Sequence, residues 1–516
     1  MLDLKFKTKK LEISFLLLFA SALIIRFYYF SYDLPLIGDG FANFTYATAI
    51  NFYGHLPTEW TPINNGWPIF LSFWFSVVSL ENTFQYMELQ KIISIVLSSL
   101  ITIPVYLLCK QYFDKKIALI GAALIAFEPR LILNSILGIT EPLFILLTTS
   151  SLLLFLKYDR KIVTIAFILA SFATIIRSEG LFLFITLTIL FFIKYKISKE
   201  ILKTYVPCLI IFMIILIPIM DYRMEVTGTD GIFLRGSVGT TQIISMINTN
   251  GNIDTNQDSL ILNGLTLFVK YLGWILIPSF VVFLPFGIIL FFKHRKTDTN
   301  FIMIFLIIYT IPILYAYLRQ AQDSRYLYPL FPIFALISLY TISSFLYRVT
   351  KKDLLIFLII LGILVSSICF YEYKKIDYEK EKEFYEIAKS LPIKVGGVNT
   401  HPTVTKYIPT TELEENWPFV FYDDTRKIKT IKTYTYYNGI IQEYRNLDSF
   451  ILDHKETLTH LIVNDNEDLP EFLKEVYFEK AKIVYLEKVF DSKDSGFEYH
   501  VKLFEINFEK FEKEMN

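Results

Sequence analysis

Long apolar segments separated by short polar turns constrain this sequence more than any other feature. Phe15–Ile25, Ile162–Ile176 and Leu354–Val365 contain no charged residue. A helix that spans a bilayer needs about 20 predominantly apolar residues. Besides an N-terminal run at 11–30, which we interpret as a retained first helix, the candidate spans are 89–109, 117–134, 142–156, 162–177, 180–193, 204–221, 263–292, 300–318, 326–347 and 353–371.

The segment 66–80 is apolar but short, so it predicts either a half-span or a helix at the membrane interface. We therefore predict a polytopic α-helical membrane protein with about ten or eleven transmembrane helices. These spans form a predicted transmembrane domain at residues 1–371.

The composition changes after residue 371. The whole chain is 53% hydrophobic and 19% charged, but the residues from Glu372 onward are rich in Lys, Glu and Asp. This contrast predicts a soluble C-terminal α/β domain at 372–516. Its predicted elements are strands at Thr459–Asn464 and Ile483–Tyr485 and helices at Tyr378–Leu391 and Leu469–Phe478.

Charge and cysteine content exclude some classes. The net charge is zero, so nothing in it indicates nucleic-acid binding. Cys109, Cys208 and Cys369 lie within or at the ends of apolar segments, which argues against a disulfide framework.

The basic residues predict an orientation. Lys and Arg recur at alternate turns, whereas residues 31–90 contain neither. The positive-inside rule then places the N-terminus in the cytoplasm. It places a long first loop at 31–88, a flexible loop at 222–262 and the C-terminal domain outside a cell membrane. The aromatic stretch at 41–53 predicts an interfacial helix within the first loop.

Two acidic residues stand out on the predicted outer side. Asp39 lies between Gly38 and Gly40, where the backbone can approach a ligand closely, although a turn or helix-capping aspartate is an alternative. Glu141 precedes Pro142 at a predicted helix start, where a carboxylate is also favoured by the helix dipole.

Two short motifs carry arginines to the same predicted side. They are Arg177-Ser178-Glu179-Gly180 and Asp323-Ser324-Arg325-Tyr326. Such arginines either extend to lipid headgroups or bind a phosphate through two hydrogen bonds. Glu128 and Arg130 add charges near this surface, and a local ion pair is their alternative interpretation.

Carboxylates and arginines on one membrane surface fit transfer from a lipid-phosphate donor. Arginines stabilise the charge that develops on a departing phosphate. A carboxylate accepts the proton of an attacking hydroxyl. A polyprenyl tail needs a lipid-facing groove, which a membrane protein supplies.

These motifs resemble the GT-C superfamily of membrane glycosyltransferases, which use polyprenyl-phosphate sugars. The resemblance is strongest to the protein O-mannosyltransferase and aminoarabinose-transferase branch, including its prokaryotic and archaeal members. It covers roughly residues 12–370 and rests on Asp39, Thr140–Phe144, Arg177–Gly180 and Arg325–Pro329. The Trp-Trp-Asp-Tyr-Gly signature of oligosaccharyltransferases is absent, which argues against transfer of a whole glycan to asparagine.

The resemblance implies roles for individual residues. Asp39 takes the role of catalytic base or metal ligand, and Glu141 is the second catalytic acid, which orients the acceptor or shares a metal. The residues expected to contact the donor phosphate are Arg325, Arg177 and Tyr326. The expected substrate-binding residues are Glu128, Arg130, Glu179 and His55. Whether a divalent metal is required stays open; His55 and Glu59 are further potential ligands.

We therefore expect transfer of a sugar from a polyprenyl- or dolichyl-phosphate donor to a hydroxyl of a glycan, lipid or protein. A transporter or lipid-carrier flippase is one alternative, which predicts charged residues at mid-membrane. A non-catalytic scaffold of a surface-glycan assembly system is the other. The sugar, the acceptor and the stereochemistry stay open.

Overall fold

The computed structural model describes most of the chain. The described residues are 13–58, 60–157, 160–233, 255–293, 297–374, 377–392, 404, 406–407, 410–411, 446–455, 458–464, 471–480 and 482–515. The chain forms two compact units. The first comprises Met1–Phe30, Asn43–Val78 and Leu89–Lys375, and the second comprises Ser31–Ala42, Ser79–Glu88 and Ile376–Asn516.

Helices dominate the first unit and continue into parts of the second. Up to residue 195 they are α1 (Ile13–Tyr28), α2 (Gly38–Tyr53), α3 (Gly66–Val77), α4 (Thr83–Leu100), α5 (Thr102–Tyr112), α6 (Lys115–Ala126), α7 (Pro129–Ser135), α8 (Glu141–Leu156), α9 (Arg160–Ile176) and α10 (Gly180–Tyr195). They continue with α11 (Lys199–Thr227), α12 (Thr255–Leu276), α13 (Leu284–Lys293), α14 (Thr297–Leu318), a 3₁₀ helix (Ser324–Leu330), α15 (Phe331–Leu346) and α16 (Lys352–Lys374).

Many of these helices have the length and composition of membrane spans. Within the described ranges, five are long and apolar enough to cross a membrane, or six if α6 and α7 form one bent span. Seven shorter apolar helices of 10–17 residues accompany them. The predicted polytopic helical fold is thus confirmed, while the number of spans and the orientation stay predictions. Of the predicted outer loop at 222–262, residues 234–254 lie outside the described part of the chain.

Two predicted spans are each interrupted. The predicted span 117–134 is two helices, α6 and α7, bent by 51°. Glu128 caps α7 by accepting a hydrogen bond from the backbone N–H of Arg130, and Pro129 occupies the first helical position, where no N–H is needed. The predicted span 263–292 is α12 and α13, separated by a stretch containing Pro278, which cannot donate a helical hydrogen bond.

A buried arginine stabilises the break after α6. Arg26 of α1 is fully buried. Its guanidinium donates hydrogen bonds to the Ala126 carbonyl at 2.8 Å and to Ser98 Oγ at 3.1 Å. Ala126 ends α6, so its carbonyl has no partner within the helix and attracts a cation. Arg26 thereby satisfies a backbone group that the break exposes.

A small three-stranded sheet organises the second unit. Its strands are β1 (His460–Val463), β2 (Leu486–Asp491) and β3 (Lys502–Ile506), antiparallel in the order β1-β3-β2. The helices of this unit are α17 (Tyr378–Ser390), α18 (Leu447–Asp453), α19 (Glu471–Tyr477) and α20 (Phe508–Met515). The predicted α/β character of the C-terminal region is confirmed, while the boundary at 371/372 and the role of the region stay predictions.

Strands β1 and β3 contribute to an apolar cluster on each face of the sheet, because successive strand residues point in opposite directions. Leu461 and Phe504 join one apolar cluster, which includes residues of α18, α19 and α20. Ile462 and Leu503 join the other, which includes residues of α17.

The predicted strand at Ile483–Tyr485 is wrong. These residues precede β2, which begins at Leu486. Strand β2 pairs only with β3, so it is an edge strand, and its middle residues are exposed. Its apolar pattern is therefore weaker than that of Ile483–Tyr485, where only the Tyr485 ring is fully buried in the core.

We predict that Gly180→Ala destabilises the first unit. An added Cβ would lie 2.4 Å from the backbone nitrogen of Thr174 in α9, so the turn between α9 and α10 must shift. Overpacking of this kind costs about 1–3 kcal/mol. Thermal unfolding of the purified protein in detergent measures it. Gly362→Ala is the matched control, because a Cβ there meets no atom within 4 Å.

Candidate functional site

Three of the predicted motifs meet in the first unit. Glu141 is the first residue of α8, Arg177 follows the end of α9, and Arg325 lies in the 3₁₀ helix. Glu141 Oε1 lies 2.6 Å from Arg177 Nη1 and 3.9 Å from Arg325 Nη1. Segments that are 36 and 184 residues apart in sequence are thus joined at one carboxylate oxygen.

Arg177 is held between two carboxylates. Its Nη2 donates to Glu179 Oε1 at 2.7 Å, in addition to the bond from Nη1 to Glu141. Its side chain is 13% exposed, and that of Glu141 is 3% exposed. Burial alone would lower the pKa of Arg177, but the Glu179 and Glu141 carboxylates outweigh burial and raise that pKa. Arg177 is therefore a permanently charged link between α8 and the turn after α9.

Arg325 is the more accessible arginine. Its side chain is 32% exposed, and its Nε donates to Asp323 Oδ2 at 2.5 Å. Asp323 also accepts from the backbone N–H of Arg325 and so begins the 3₁₀ helix. The cluster contains three carboxylates and two guanidinium groups.

Aromatic rings surround the Arg177 guanidinium. Its central carbon lies 5.8 Å from the ring centres of both Phe144 and Tyr326, within the range of a cation–π interaction. A cavity of about 10 Å³ opens here, enough for roughly one water molecule. Its lining includes Glu179, Tyr309 and Pro329.

Residues that the sequence motifs did not include hold this cluster in place. The Gly138 carbonyl, shortly before Glu141, accepts from Trp67 Nε1 at 3.0 Å and from Gln90 Nε2 at 2.7 Å. Ser178 N donates to Asn64 Oδ1 at 3.2 Å. Of these residues, Gln90 could have been identified from the sequence, because a polar residue at the start of an apolar span is costly unless it has a hydrogen-bonding partner.

Arg223 of α11 fixes the segment before α3. Its Nη1 donates to the Pro62 carbonyl and to Asn65 Oδ1, each at 2.8 Å. Tyr222 Oη and Tyr46 Oη lie 2.6 Å apart and join α11 to α2. Pro57, Pro62 and Asn65 are therefore connected to a helix more than 150 residues away in sequence.

Glu128 and Arg130 form a local buried pair. Arg130 Nη1 lies 3.2 Å from Glu128 Oε1, and both side chains are almost inaccessible. Arg130 also donates to the carbonyls of Trp274, at 2.5 Å, and Ile277, and its guanidinium lies 4.7 Å from the Phe370 ring centre. These contacts favour the local ion pair and fix the end of α12; the substrate-binding role of the pair stays a prediction.

Asp39 lies at the start of α2, and His55 follows the end of this helix. Asp39 is exposed in the first turn of α2 and belongs to the second unit, whereas Glu141 belongs to the first. His55 is exposed just after α2, with its ring stacked on Tyr53 at 5.4 Å. Glu59 lies outside the described residues. The catalytic role of Asp39 and the substrate-binding role of His55 stay predictions.

The described part of the chain contains no group of three or more His, Cys, Asp or Glu side chains placed to hold a metal ion.

Comparison with known proteins addresses the fold. Residues 71–222 match the family model of dolichyl-phosphate-mannose-protein mannosyltransferases. No curated protein matches the sequence. Among solved structures, the Archaeoglobus fulgidus oligosaccharyltransferase complex with zinc and sulfate is 13% identical, with a TM-score of 0.54. That match covers 87% of this chain and 67% of the other.

Two further structures carry lipid phosphates. The A. fulgidus oligosaccharyltransferase AglB, complexed with an inhibitory peptide and dolichol-phosphate, is 13% identical with a TM-score of 0.51, covering 87% of this chain and 69% of the other. ArnT from Cupriavidus metallidurans, bound to undecaprenyl phosphate, is 10% identical with a TM-score of 0.50, covering 95% of this chain and 97% of the other.

The chain has the fold of the GT-C membrane glycosyltransferases. The resemblance that the sequence motifs indicated is thereby confirmed. A chain of this fold with several apolar helices long enough to span a bilayer is a multi-pass membrane protein.

We predict that Glu141→Gln destabilises the first unit. The change removes the charge that pairs with Arg177, while Glu179 keeps its own contact. Loss of a hydrogen bond between charged groups costs about 1.5–3 kcal/mol. Thermal unfolding in detergent measures this change.

Asp353→Asn is the matched control for Glu141→Gln. It removes an ion pair with Lys116 in which the side chains are 73% and 65% exposed. Exposed pairs contribute little to stability, so we expect no measurable shift. Equal shifts in the two variants would contradict a structural role for the Glu141 pair.

Proposed function

We propose that this chain transfers a sugar from a polyprenyl-phosphate-linked donor to a hydroxyl acceptor. The observation that carries the proposal is the meeting of Glu141, Arg177 and Arg325 on a GT-C fold. The match to a dolichyl-phosphate-mannose-dependent family model over residues 71–222 supports the transferase class. The lipid phosphates in the AglB and ArnT structures support the donor class.

We assign contact with the donor phosphate first to Arg325. Arg177 is almost buried and already bonded to two carboxylates, so binding phosphate would require it to leave one of them. Arg325 is about one-third exposed, and a guanidinium matches phosphate geometry through paired N–H donors. Tyr326, the next residue, lines the small cavity beside Arg177.

Glu141 and Arg177 then serve as positioning residues. Their ion pair fixes the start of α8 against the turn after α9. Glu141 Oε1 also lies 3.9 Å from Arg325 Nη1 and attracts that guanidinium. A rigid arrangement of this kind lowers the cost of stabilising charge as it develops on the leaving phosphate.

The proposed reaction exchanges one bond for another. The acceptor oxygen forms a bond to the anomeric carbon of the sugar as the bond between that carbon and the phosphate oxygen breaks. The hydroxyl proton passes to a carboxylate base, a role for which the sequence resemblance makes Asp39 the candidate. Polyprenyl phosphate leaves as an anion, and Arg325 is proposed to stabilise its charge. Asp39 is exposed at the start of α2, where an acceptor has access to it.

The acceptor that we propose differs from that of the oligosaccharyltransferases. About one-third of each matched A. fulgidus chain lies outside the match, and the Trp-Trp-Asp-Tyr-Gly signature does not occur in this sequence. The proposal is therefore a hydroxyl of a glycan, lipid or protein, with the reaction on the extracytoplasmic side of a cell membrane.

We predict that Arg325→Gln weakens binding of the lipid phosphate. Removing one guanidinium partner of a phosphate costs about 1.5–3 kcal/mol, which corresponds to a loss of about tenfold or more. Titration of the purified protein with undecaprenyl phosphate, followed by native mass spectrometry, measures the affinity. Arg319→Gln is the control, because Arg319 is exposed and contacts Tyr315 of the preceding helix, α14. Equal affinities of the two variants would remove Arg325 from the donor site.

We predict that Asp39→Asn strongly slows sugar transfer and leaves lipid-phosphate binding unchanged. Loss of a general base slows a reaction about 10²–10⁴-fold. The measurement is sugar transfer from a synthetic undecaprenyl-phosphate-linked hexose. Asp494→Asn, an exposed acid of the same unit, is the control. Wild-type turnover by Asp39→Asn would require a different base.

A further inference from the structure

A separate groove lies within the second unit. Its volume is about 920 Å³, comparable to sites that hold small molecules. One wall is residues 81–88, at the start of α4, and the other is α17. All the residues that line it belong to this unit.

Both walls of the groove are held in place. Phe384, Ile387 and Ala388 of α17 are buried in the cluster on one face of the sheet. On the other wall, Glu81 N donates to Gln85 Oε1 and Gln85 N donates to Asn82 Oδ1, each at 2.9 Å. The groove is therefore formed before any ligand arrives.

An ion pair joins the segment after α1 to α17 at the groove. Lys382 Nζ lies 2.9 Å from Asp33 Oδ2, and both residues line the groove. Thr410 Oγ1 also donates to the Leu36 carbonyl, so the segment at 31–42 is tied to the C-terminal region in two places.

The lining combines hydrogen-bonding groups of both kinds with aromatic surface. Glu81 and Glu88 supply acceptors, the Asn82 and Gln85 side chains are amides, and the half-buried Phe84 adds a ring. Carbohydrates present hydroxyls that both donate and accept, together with C–H faces that pack on aromatic rings. This mixture therefore suits a sugar better than a purely apolar ligand.

The net charge of the groove lining disfavours an anionic ligand. Four carboxylates line the groove, those of Asp33, Glu81, Glu88 and Glu386, against two ammonium groups, those of Lys382 and Lys389. Each ammonium already faces a carboxylate, at 2.9 Å for Lys382 and 3.6 Å for Lys389. An excess of negative charge repels a phosphate and tolerates a neutral or amino-bearing ligand.

We propose that this groove binds the glycan of the acceptor, a neutral or amino-bearing oligosaccharide. The inference rests on the proposed glycosyl transfer. It assigns the anionic lipid donor and the uncharged or cationic acceptor to different sets of residues, in keeping with their opposite charge requirements.

Binding to the full chain in detergent tests the groove directly. The probes are mannotriose, a glucosamine trimer and a mannotriose that carries a terminal phosphate, each followed by saturation-transfer NMR and calorimetry. We expect mannotriose or the glucosamine trimer to bind and the phosphorylated sugar to bind at least tenfold more weakly. Preferred binding of the phosphorylated sugar, or binding of none of the three, would overturn the proposal.

Paired variants test whether the saccharide binds in the groove. Phe84→Ala and Glu88→Gln, both in the groove, should weaken saccharide binding about tenfold. Phe478→Ala and Glu487→Gln, at exposed positions of the same unit outside the groove lining, should leave it unchanged. Equal effects of groove and control variants would also overturn the assignment. Glu88→Gln keeps the size of the side chain, so it tests the groove even where Phe84→Ala lowers stability.

Lipid binding in the same samples separates the two proposals. If the groove variants lose saccharide binding and keep undecaprenyl phosphate binding, the groove is the saccharide site. If wild-type protein binds saccharide but neither binds undecaprenyl phosphate nor transfers sugar, the proposed function fails and the groove stands as a saccharide site. If it transfers sugar while the groove variants behave as wild type, the groove assignment alone fails.

Discussion

The ion pair between Glu141 and Arg177 is the interaction on which the candidate site depends. The Glu141 carboxylate is buried, and without Arg177 its charge would be poorly compensated, because the other arginine, Arg325, lies 3.9 Å away. The pair forces the start of α8 and the turn after α9 together, and the 3₁₀ helix with Arg325 approaches the same oxygen. Helices that are distant in sequence thereby present their polar ends at one place.

Backbone packing makes this pairing possible. Gly180 lets the start of α10 lie against the end of α9 with no room for a methyl group, so the intervening turn that carries Arg177 and Glu179 is tight. Gly138, in a left-handed conformation, turns its carbonyl toward Trp67 and Gln90 just before Glu141. The site is therefore built from close helix contacts as much as from charge.

The sequence predicted which residues form this site better than it predicted which residues they contact. Apolar segments and costly charges at their ends identify Glu141, Arg177 and Arg325, because a membrane chain keeps such charges only where they have partners or a function. The sequence does not reveal that Arg177 is shared by two carboxylates, since the pairing depends on how α8 and α9 pack. The contributions of Asn64 and Arg223 are likewise long-range.

The helix breaks and the edge strand show a second limit of prediction from the sequence. Hydropathy treated 117–134 and 263–292 as single spans, because the residues around each break remain apolar. The grouping of residues 31–42 and 79–88 with the C-terminal region rests on contacts such as that between Lys382 and Asp33. No local pattern encodes a contact across 349 residues.

Two chemically distinct regions follow from this account. In the first unit, the partly exposed Arg325 supplies the guanidinium that we assign to the lipid phosphate, and in the second unit the acidic groove suits a neutral or cationic saccharide. A glycosyltransferase that takes its sugar from a lipid phosphate needs both kinds of recognition. The excess of carboxylates in the groove disfavours binding of the lipid phosphate there.

The most direct test of the central claim is the fate of a synthetic undecaprenyl-phosphate-linked hexose incubated with the purified chain in lipid nanodiscs. A panel of hexoses and hydroxyl acceptors is tested, and free undecaprenyl phosphate and glycosylated acceptor are both quantified by mass spectrometry. The account predicts that the two products appear in equal amounts with at least one donor and only when an acceptor is present. Binding of undecaprenyl phosphate without consumption of any donor would contradict it.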